Sequence, residues 1–339
     1  MHWSGPLHYV GAVGDHPPDT CNFPGDHGWD GSQDANVLSA TRNVSNILAD
    51  YVRNVKLGAS TSVQDTERAN EALKFLIHFL GDLHQPLHLT GRDRGGNGDK
   101  VMFDRRHTSM FILCGPFALT DRSAHTDLHS VWDTFLISKA LRHTPRKYNH
   151  PLPDKRIEYS LRGAIYDPYV RQIMVEGVLR DWADEIPAWL QCPPRNELQF
   201  GNRWQQVLST WLRTSDPGAR TDDETLCPYA WAKPIHALNC DIVWPKALDD
   251  ESYKGWLAAS VDNDIDIDDD DDYDDDDTEA MGGKRKPHRD DGLQLDTPEY
   301  AGEIEKRRLI EKLLAQAGVR LANTLNYLFA DDNIESNNS

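Results

Sequence analysis

His78 to His88 reads HFLGDLHQPLH, three histidines and one aspartate within eleven residues. The run closes an amphipathic segment and meets a helix-breaking proline at Pro86. His78 and Asp82 are four residues apart, so on a helix their side chains share one face, one turn apart. His129 and Asp133, in LHSVWDT, repeat that spacing some forty residues on. Nitrogen and carboxylate donors offered in pairs suit Zn²⁺, and an all-His/Asp set leaves a place for water, as a hydrolytic metal site requires.

One histidine beside an apolar stripe is ordinarily a surface or hydrogen-bonded residue. Two H-x-x-x-D pairs and His88 together point instead to metal binding, because a carboxylate near an apolar stripe is costly unless paired or metal-bound. His84 lies six residues from His78, off that face, and reads as a structural hydrogen-bonding histidine. His8, in PLHYV, is not decided by its spacing. Tyr9 beside it reads as a core or surface aromatic, or as a platform on which a nucleobase stacks.

Composition narrows the class. The 339 residues suffice for one large domain or two small ones. The net charge of −19 is concentrated between Asp262 and Glu279, which hold twelve Asp and one Glu without a base. The remaining body is mildly acidic and offers no basic groove for nucleic acid, so a phosphate-bearing substrate would need bound cations. Five cysteines (Cys21, Cys114, Cys192, Cys227, Cys240) occur without any C-x-x-C. This fits disulfides of a secreted enzyme better than a zinc finger, with one cysteine left over. Asn43-Val-Ser and Asn337-Asn-Ser are glycosylation sequons. No apolar run reaches transmembrane length, and the opening MHWSGPLHYV lacks a signal peptide, so the chain is expected to be cytosolic or to lack its true beginning.

Periodicity predicts a mainly α protein. Residues 1–32 read as loop. Helices are expected at 34–56, at 66–84 with a stripe of Ala69, Leu73, Leu76, Phe79, Leu80 and Leu83, at 127–140, and at 155–190, 202–213 and 222–240. The clearest is 303–329, with Leu309, Leu313, Ala317, Leu321, Leu325 and Leu328 on one face and Glu305 to Arg308 pointing outward. Residues 91–100 form a glycine-rich turn, and Val101–Phe103 a short strand. Residues 1–260 with 293–330 are expected to form one helical domain. It is interrupted by an atypical apolar insertion at 108–124 that holds Cys114, and by a disordered acidic insertion at 261–292. A flexible tail follows at 331–339. The acidic run reads as a solvated insertion ahead of a Ca²⁺ binder or an interaction tail.

The set His8-Tyr9, His78-x-x-x-Asp82, His88 and His129-x-x-x-Asp133 resembles the S1/P1 nuclease family. The stretches WSGPLHYV, NEALKFLIHFLGDLHQPLHLTGRDRGGN, LHSVWDT, CPYAWAKPIHALNC and AGVRLANTLN support it. The resemblance implies a single-domain helical fold of the phospholipase C/P1 nuclease type and a monomer without membrane attachment, secreted by family expectation. It also implies three zinc ions that hydrolyse single-stranded DNA and RNA to 5′-phosphorylated products and remove 3′-phosphates from nucleotides. His88, His129 and Asp133 match the ligands of one zinc. His8, His78 and Asp82 match three of four ligands of a second, and Asp82 also matches the carboxylate bridging to the third and orienting the nucleophile. Tyr9 matches the base-stacking aromatic, and Cys21 and Cys240 a disulfide. Cys192 with Cys227 is the expected second pair.

The departures set further expectations. The family's N-terminal Trp, a nearby His, an Asp ligand and an Arg near the phosphate would all fall before Met1. Gly11 stands where the family usually has an Asp that hydrogen-bonds the base. The chain is therefore expected to be an incomplete or imperfectly spliced product that builds one zinc site fully and a second in part, with weak or absent cleavage. The alternatives are a zinc phospholipase C-like phosphodiesterase and a catalytically inactive zinc- or nucleic-acid-binding module.

Overall fold

The architecture follows from where each apolar stripe can be buried. In this computed structural model of the chain, residues 2–24, 28–32, 34–103, 125–161, 167–193, 221–250, 253 and 292–330 are described. The expectations for 108–124, 331–339, the helix at 202–213 and Cys114 fall outside them, as does that for 261–292 except its last residue.

The described chain is mostly helical. A 3₁₀ helix over His2–His8 occupies part of the stretch expected as loop. Helix α1 (Val37–Lys56) starts later than its pattern suggests because Asn36 caps it: the Asn36 side chain accepts from Leu38 N and Ser39 N, both at 3.1 Å. Helix α2 (Val63–Asp82) starts earlier than expected, since Ser62 and Asp65 form a reciprocal capping box. It ends at Asp82, and Pro86–Leu89 follows as a single 3₁₀ turn. The pyrrolidine ring cannot continue the helix, so the α-helical ladder stops ahead of it. The α2 stripe is buried as its spacing requires: Leu76, Phe79, Leu80 and Leu83 are all at most 1% exposed.

The next helix, α3, runs through Leu128–Ser130, a wider π turn at Val131–Phe135, and Leu136–His143. Only one sheet occurs among the described residues. β1 (Lys100–Met102) pairs antiparallel with β2 (His125–Asp127), Val101 opposite Thr126. This pairing brings the start of α3 against the glycine-rich turn, where Leu128 N donates to Asp99 O at 3.0 Å.

Three expected helices are corrected. The stretch 155–190 is several pieces: α4 (Lys155–Leu161), α5 (Pro168–Gln172) continuing through Ile173–Asp181, and α6 (Ile186–Leu190). Pro168 and Pro187 sit in first turns, where a missing N–H costs nothing. The helix expected at 222–240 begins as α7 at Pro228–His236, because Asp223 first takes the amides of Thr225 and Leu226 in a turn. The expected 303–329 helix is two, α8 (Ala301–Lys306) and α9 (Leu309–Phe329), broken at Arg308 with φ +51°. Arg308 does not point freely outward: its guanidinium stacks on Trp182 and pairs with Asp181 at 2.7 Å.

Helix α9 packs on two sides. Leu309, Ile310, Leu313 and Leu328 join the main core around Phe79, Leu87, Trp132 and Trp231, while Ala315 faces a smaller cluster with Tyr169, Ile173, Trp182 and Trp189. Disulfides link Cys21 with Cys240 and Cys192 with Cys227, with Cα–Cα distances of 6.0 and 5.6 Å.

Candidate metal centre

The fold brings the predicted donors together in two adjoining groups. His8, at the end of the first 3₁₀ helix, meets the last turn of α2: His8 Nδ1 lies 2.9 Å from Asp82 Oδ2, and His78 Nε2 lies 3.4 Å from the same oxygen. His88, from the turn after Pro86, meets the first turns of α3. Its ring stacks on that of His129 with centroids 5.0 Å apart, and His129 Nε2 is 3.2 Å from Asp133 Oδ2. His8, His78 and Asp82 form one group in which a donor atom from each could share an ion; His88, His129 and Asp133 form the other. Asp82 stands between them, its second oxygen, Oδ1, 3.7 Å from His88 Nδ1.

Backbone carbonyls fix the rings of the second group. His88 Nδ1–H donates to His8 O at 2.7 Å, and His129 Nδ1–H donates to Gly95 O at 2.8 Å. With Nδ1 committed to a carbonyl, Nε2 is the nitrogen each ring has for a metal; that of His129 faces Asp133 Oδ2. Asp133 Oδ1 accepts from Gln85 Nε2 at 2.9 Å, which leaves Oδ2 toward the histidines. The π turn carries Asp133, and such bulges often mark functional positions.

Gly95 reaches His129 through an unusual turn. Asp93, Arg94, Gly95 and Gly96 all have positive φ, between +44° and +81°, one left-handed turn in sequence GRDRGGN. A Cβ at Gly95 would meet Leu87 O at 2.7 Å. Left-handed non-glycine residues such as Asp93 and Arg94 store strain that the surroundings must hold.

The electrostatics match a donor set. Burial holds the His88 imidazole below its ordinary range, against the pull of the Asp82 charge. Burial would also lower His129, but its hydrogen bonds to Asp133 and Gly95 O and the Asp133 charge carry it above its ordinary range. Burial works against ionised Asp133, yet the hydrogen bonds from His129 and Gln85 keep its carboxyl below the usual range. Loss of the His129 proton to an incoming cation would leave two imidazoles and a carboxylate whose donor atoms lie within 4.8 Å of one another, a set that Zn²⁺ accepts with a fourth position for water.

Tyr9 stands half-exposed at 52% on a cleft of about 510 Å³ that His88, His129 and Arg94 also line. His84 is excluded from both groups, as its position on the helix predicts. It is buried, bonded through Nδ1 to Leu80 O at 2.6 Å and through Nε2 to Arg320 at 2.7 Å. A third group, Asp15, Cys21 and His236, is structural. Its sulfur is committed to Cys240, and the Asp15 carboxylate already holds Thr90 Oγ1 and Asn22 N. Asn43 lies on the exposed side of α1, whereas Ser45 of its sequon is buried.

Sequence reasoning missed the two orienting carbonyls and Gln85. The carbonyls carry no side-chain signal. Gln85 was legible as the residue before a proline that breaks a helix, a position whose side chain commonly caps the next turn, and it accepts from Leu87 N here.

These features define a helical protein organised around a paired His/Asp donor centre. The family model for S1/P1 Nuclease matches residues 1–261. Nuclease P1 of Penicillium citrinum is 34% identical over 243 residues, 72% of this chain and 62% of that protein. Endonuclease 4 of Arabidopsis thaliana is 30% identical over 197 residues, 56% of this chain and 50% of the relative. Nuclease S1 of Aspergillus oryzae is 32% identical over 138 residues, 41% and 37%. The chain belongs to the S1/P1 nuclease family. It spans between about a third and two thirds of the length of these relatives.

Proposed function

We propose that this chain is a zinc-dependent hydrolase that cuts single-stranded DNA and RNA to 5′-phosphorylated products and also acts on nucleotide 3′-phosphates. The observation that carries this reading is the pair of adjoining donor groups joined through Asp82, beside a cleft with an exposed Tyr9. His88, His129 and Asp133 would hold one zinc, and His8, His78 and Asp82 a second. Bound zinc supplies Lewis acidity, bringing a water's pKa toward neutrality and stabilising negative charge on phosphate oxygens.

The chain's own residues supply the rest. Asp82, with one oxygen near each group, orients the attacking water and accepts its proton. Gln85 keeps Asp133 in place, and the carbonyls of His8 and Gly95 hold the imidazole tautomers. Tyr9 takes one face of a nucleobase, an interaction of about 1–3 kcal/mol that every base can make and that a stacked duplex cannot. This is the basis of the single-strand preference.

Residues 1–260 and 293–330 act as one catalytic unit in this reading. The two disulfides and the exposed Asn43 fit a secreted glycoprotein that works as a monomer. No helix among the described residues is long and apolar enough to cross a membrane.

Metal analysis of the purified chain, followed by digestion of single-stranded DNA with and without chelator, tests the proposal. At least one zinc per chain is expected, with chelator-sensitive cleavage that is weak. Oligonucleotide binding without cleavage would replace the hydrolase with a binding module, and hydrolysis confined to phospholipid vesicles would replace the nuclease with a lipid phosphodiesterase.

A further inference from the structure

We propose that Asp30 and Arg94 read the base held in the Tyr9 cleft, and that together they select guanine. This inference rests on the nuclease reading and assigns it a base preference.

The cleft has a wall without side chains. Gly11 and Gly91 approach so closely that a Cβ at Gly11 would lie 2.8 Å from Gly91 Cα. Position 11 can therefore carry no acidic side chain, and any carboxylate that meets the base must come from elsewhere. Asp30 stands at that place. Its backbone N–H donates to Gly11 O at 2.7 Å, and the neighbouring Trp29 bridges to Ala12, so the residue is fixed to the wall. Its Oδ2 comes within 3.7 Å of where a Cβ on Gly91 would sit. Arg94 lines the same cleft from the left-handed turn, where Asn97 Nδ2 donates to Arg94 O at 2.7 Å and pins its backbone. Tyr9, also on the cleft, offers the stacking face.

Among the described residues no ion pair occupies either charge. A carboxylate only accepts hydrogen bonds and a guanidinium only donates them. Guanine matches both at once: N1–H and the N2 amino group are adjacent donors on one edge, and O6 and N7 are adjacent acceptors on another. Arginine paired to O6 and N7 is the commonest base-specific contact known. Adenine sets the N1 lone pair beside its amino group and would face a carboxylate with an acceptor. Cytosine does the same with N3, and uracil or thymine offers a single donor.

The test is calorimetric titration of the zinc-loaded full chain with guanosine, adenosine, cytidine and uridine 5′-monophosphates. GMP is expected to bind about tenfold more tightly than AMP, the margin of one bidentate base contact. Asp30→Asn and Arg94→Met should each reduce the GMP-to-AMP affinity ratio by most of that margin while the melting temperature holds. Equal affinities for all four nucleotides in the wild type would overturn the inference and leave single-strand hydrolysis standing. So would an Asp30→Asn variant that weakens all four alike, since that marks a structural role. Failure to bind any nucleotide would overturn the nuclease reading and this inference with it.

Discussion

His88 is tied to His8 and the residues beside it by two hydrogen bonds: its imidazole donates to His8 O at 2.7 Å, and its own O accepts from Val10 N at 2.8 Å. One donor group is thereby oriented by the backbone of a residue that belongs to the other. The two groups cannot move independently, and Asp82 lies between them.

The Gln85 amide is expected to matter for metal affinity without being a ligand. Gln85→Leu removes the hydrogen bond to Asp133 Oδ1. Zinc affinity, read by competition with a chromophoric chelator, should fall by about tenfold or more, the usual effect of losing a group that orients a ligand. Unchanged affinity would show that Asp133 holds its position unaided.

Gly95→Ala should damage both stability and the metal centre. The new methyl group meets Leu87 O at 2.7 Å and His129 Nδ1 at 3.4 Å, in a backbone with φ +66°. A loss of about 1–3 kcal/mol in urea unfolding is expected, with a fall in zinc content as His129 loses its acceptor. A variant of normal stability and full zinc occupancy would contradict the role given to this turn.

Tyr9→Ala tests stacking. Affinity for a short single-stranded oligonucleotide, measured by fluorescence anisotropy, should weaken by about 1–3 kcal/mol, with zinc content unchanged. Equal affinity in the variant would place the base elsewhere.

His84 confers an acid sensitivity. Burial, and then the charge of Arg320, push its pKa from 6.5 to about 3, against the opposing hydrogen bond to Leu80 O. The unfolded chain protonates near pH 6.5 and the folded chain only near 3. The stability contributed by the neutral ring is thus complete above about pH 6.5 and is lost as the pH falls toward 3. The slope is roughly 1.4 kcal/mol per pH unit within that window. Urea unfolding in EDTA at pH 7 and 5.5 should show wild type losing about 1 kcal/mol more than His84→Gln. Parallel losses would mean that other groups govern the acid response.

The ligands were legible because a helix turns a spacing of four into a shared face, and because Pro86 marks where α2 must stop. The capping residues Asn36 and Ser62 moved helix starts by only a few positions. What sequence could not supply depends on contacts between distant segments. Arg308 adopts a left-handed backbone where it stacks on Trp182, and a periodic apolar stripe gives no hint of that break. The carbonyls of His8 and Gly95 act through the backbone, so no residue type announces them. The cleft wall likewise needs Gly11 and Gly91 brought together by the fold before either glycine has a reason.

The donors come from the end of the first 3₁₀ helix, from the end of α2 and the turn after it, and from the first turns of α3. An ion seated among them is therefore a cross-link that exists only in the folded molecule, and its binding energy adds to the stability of that state. Under the zinc reading proposed above, withdrawing the metal is therefore expected to open the chain to proteolysis as well as to stop its chemistry.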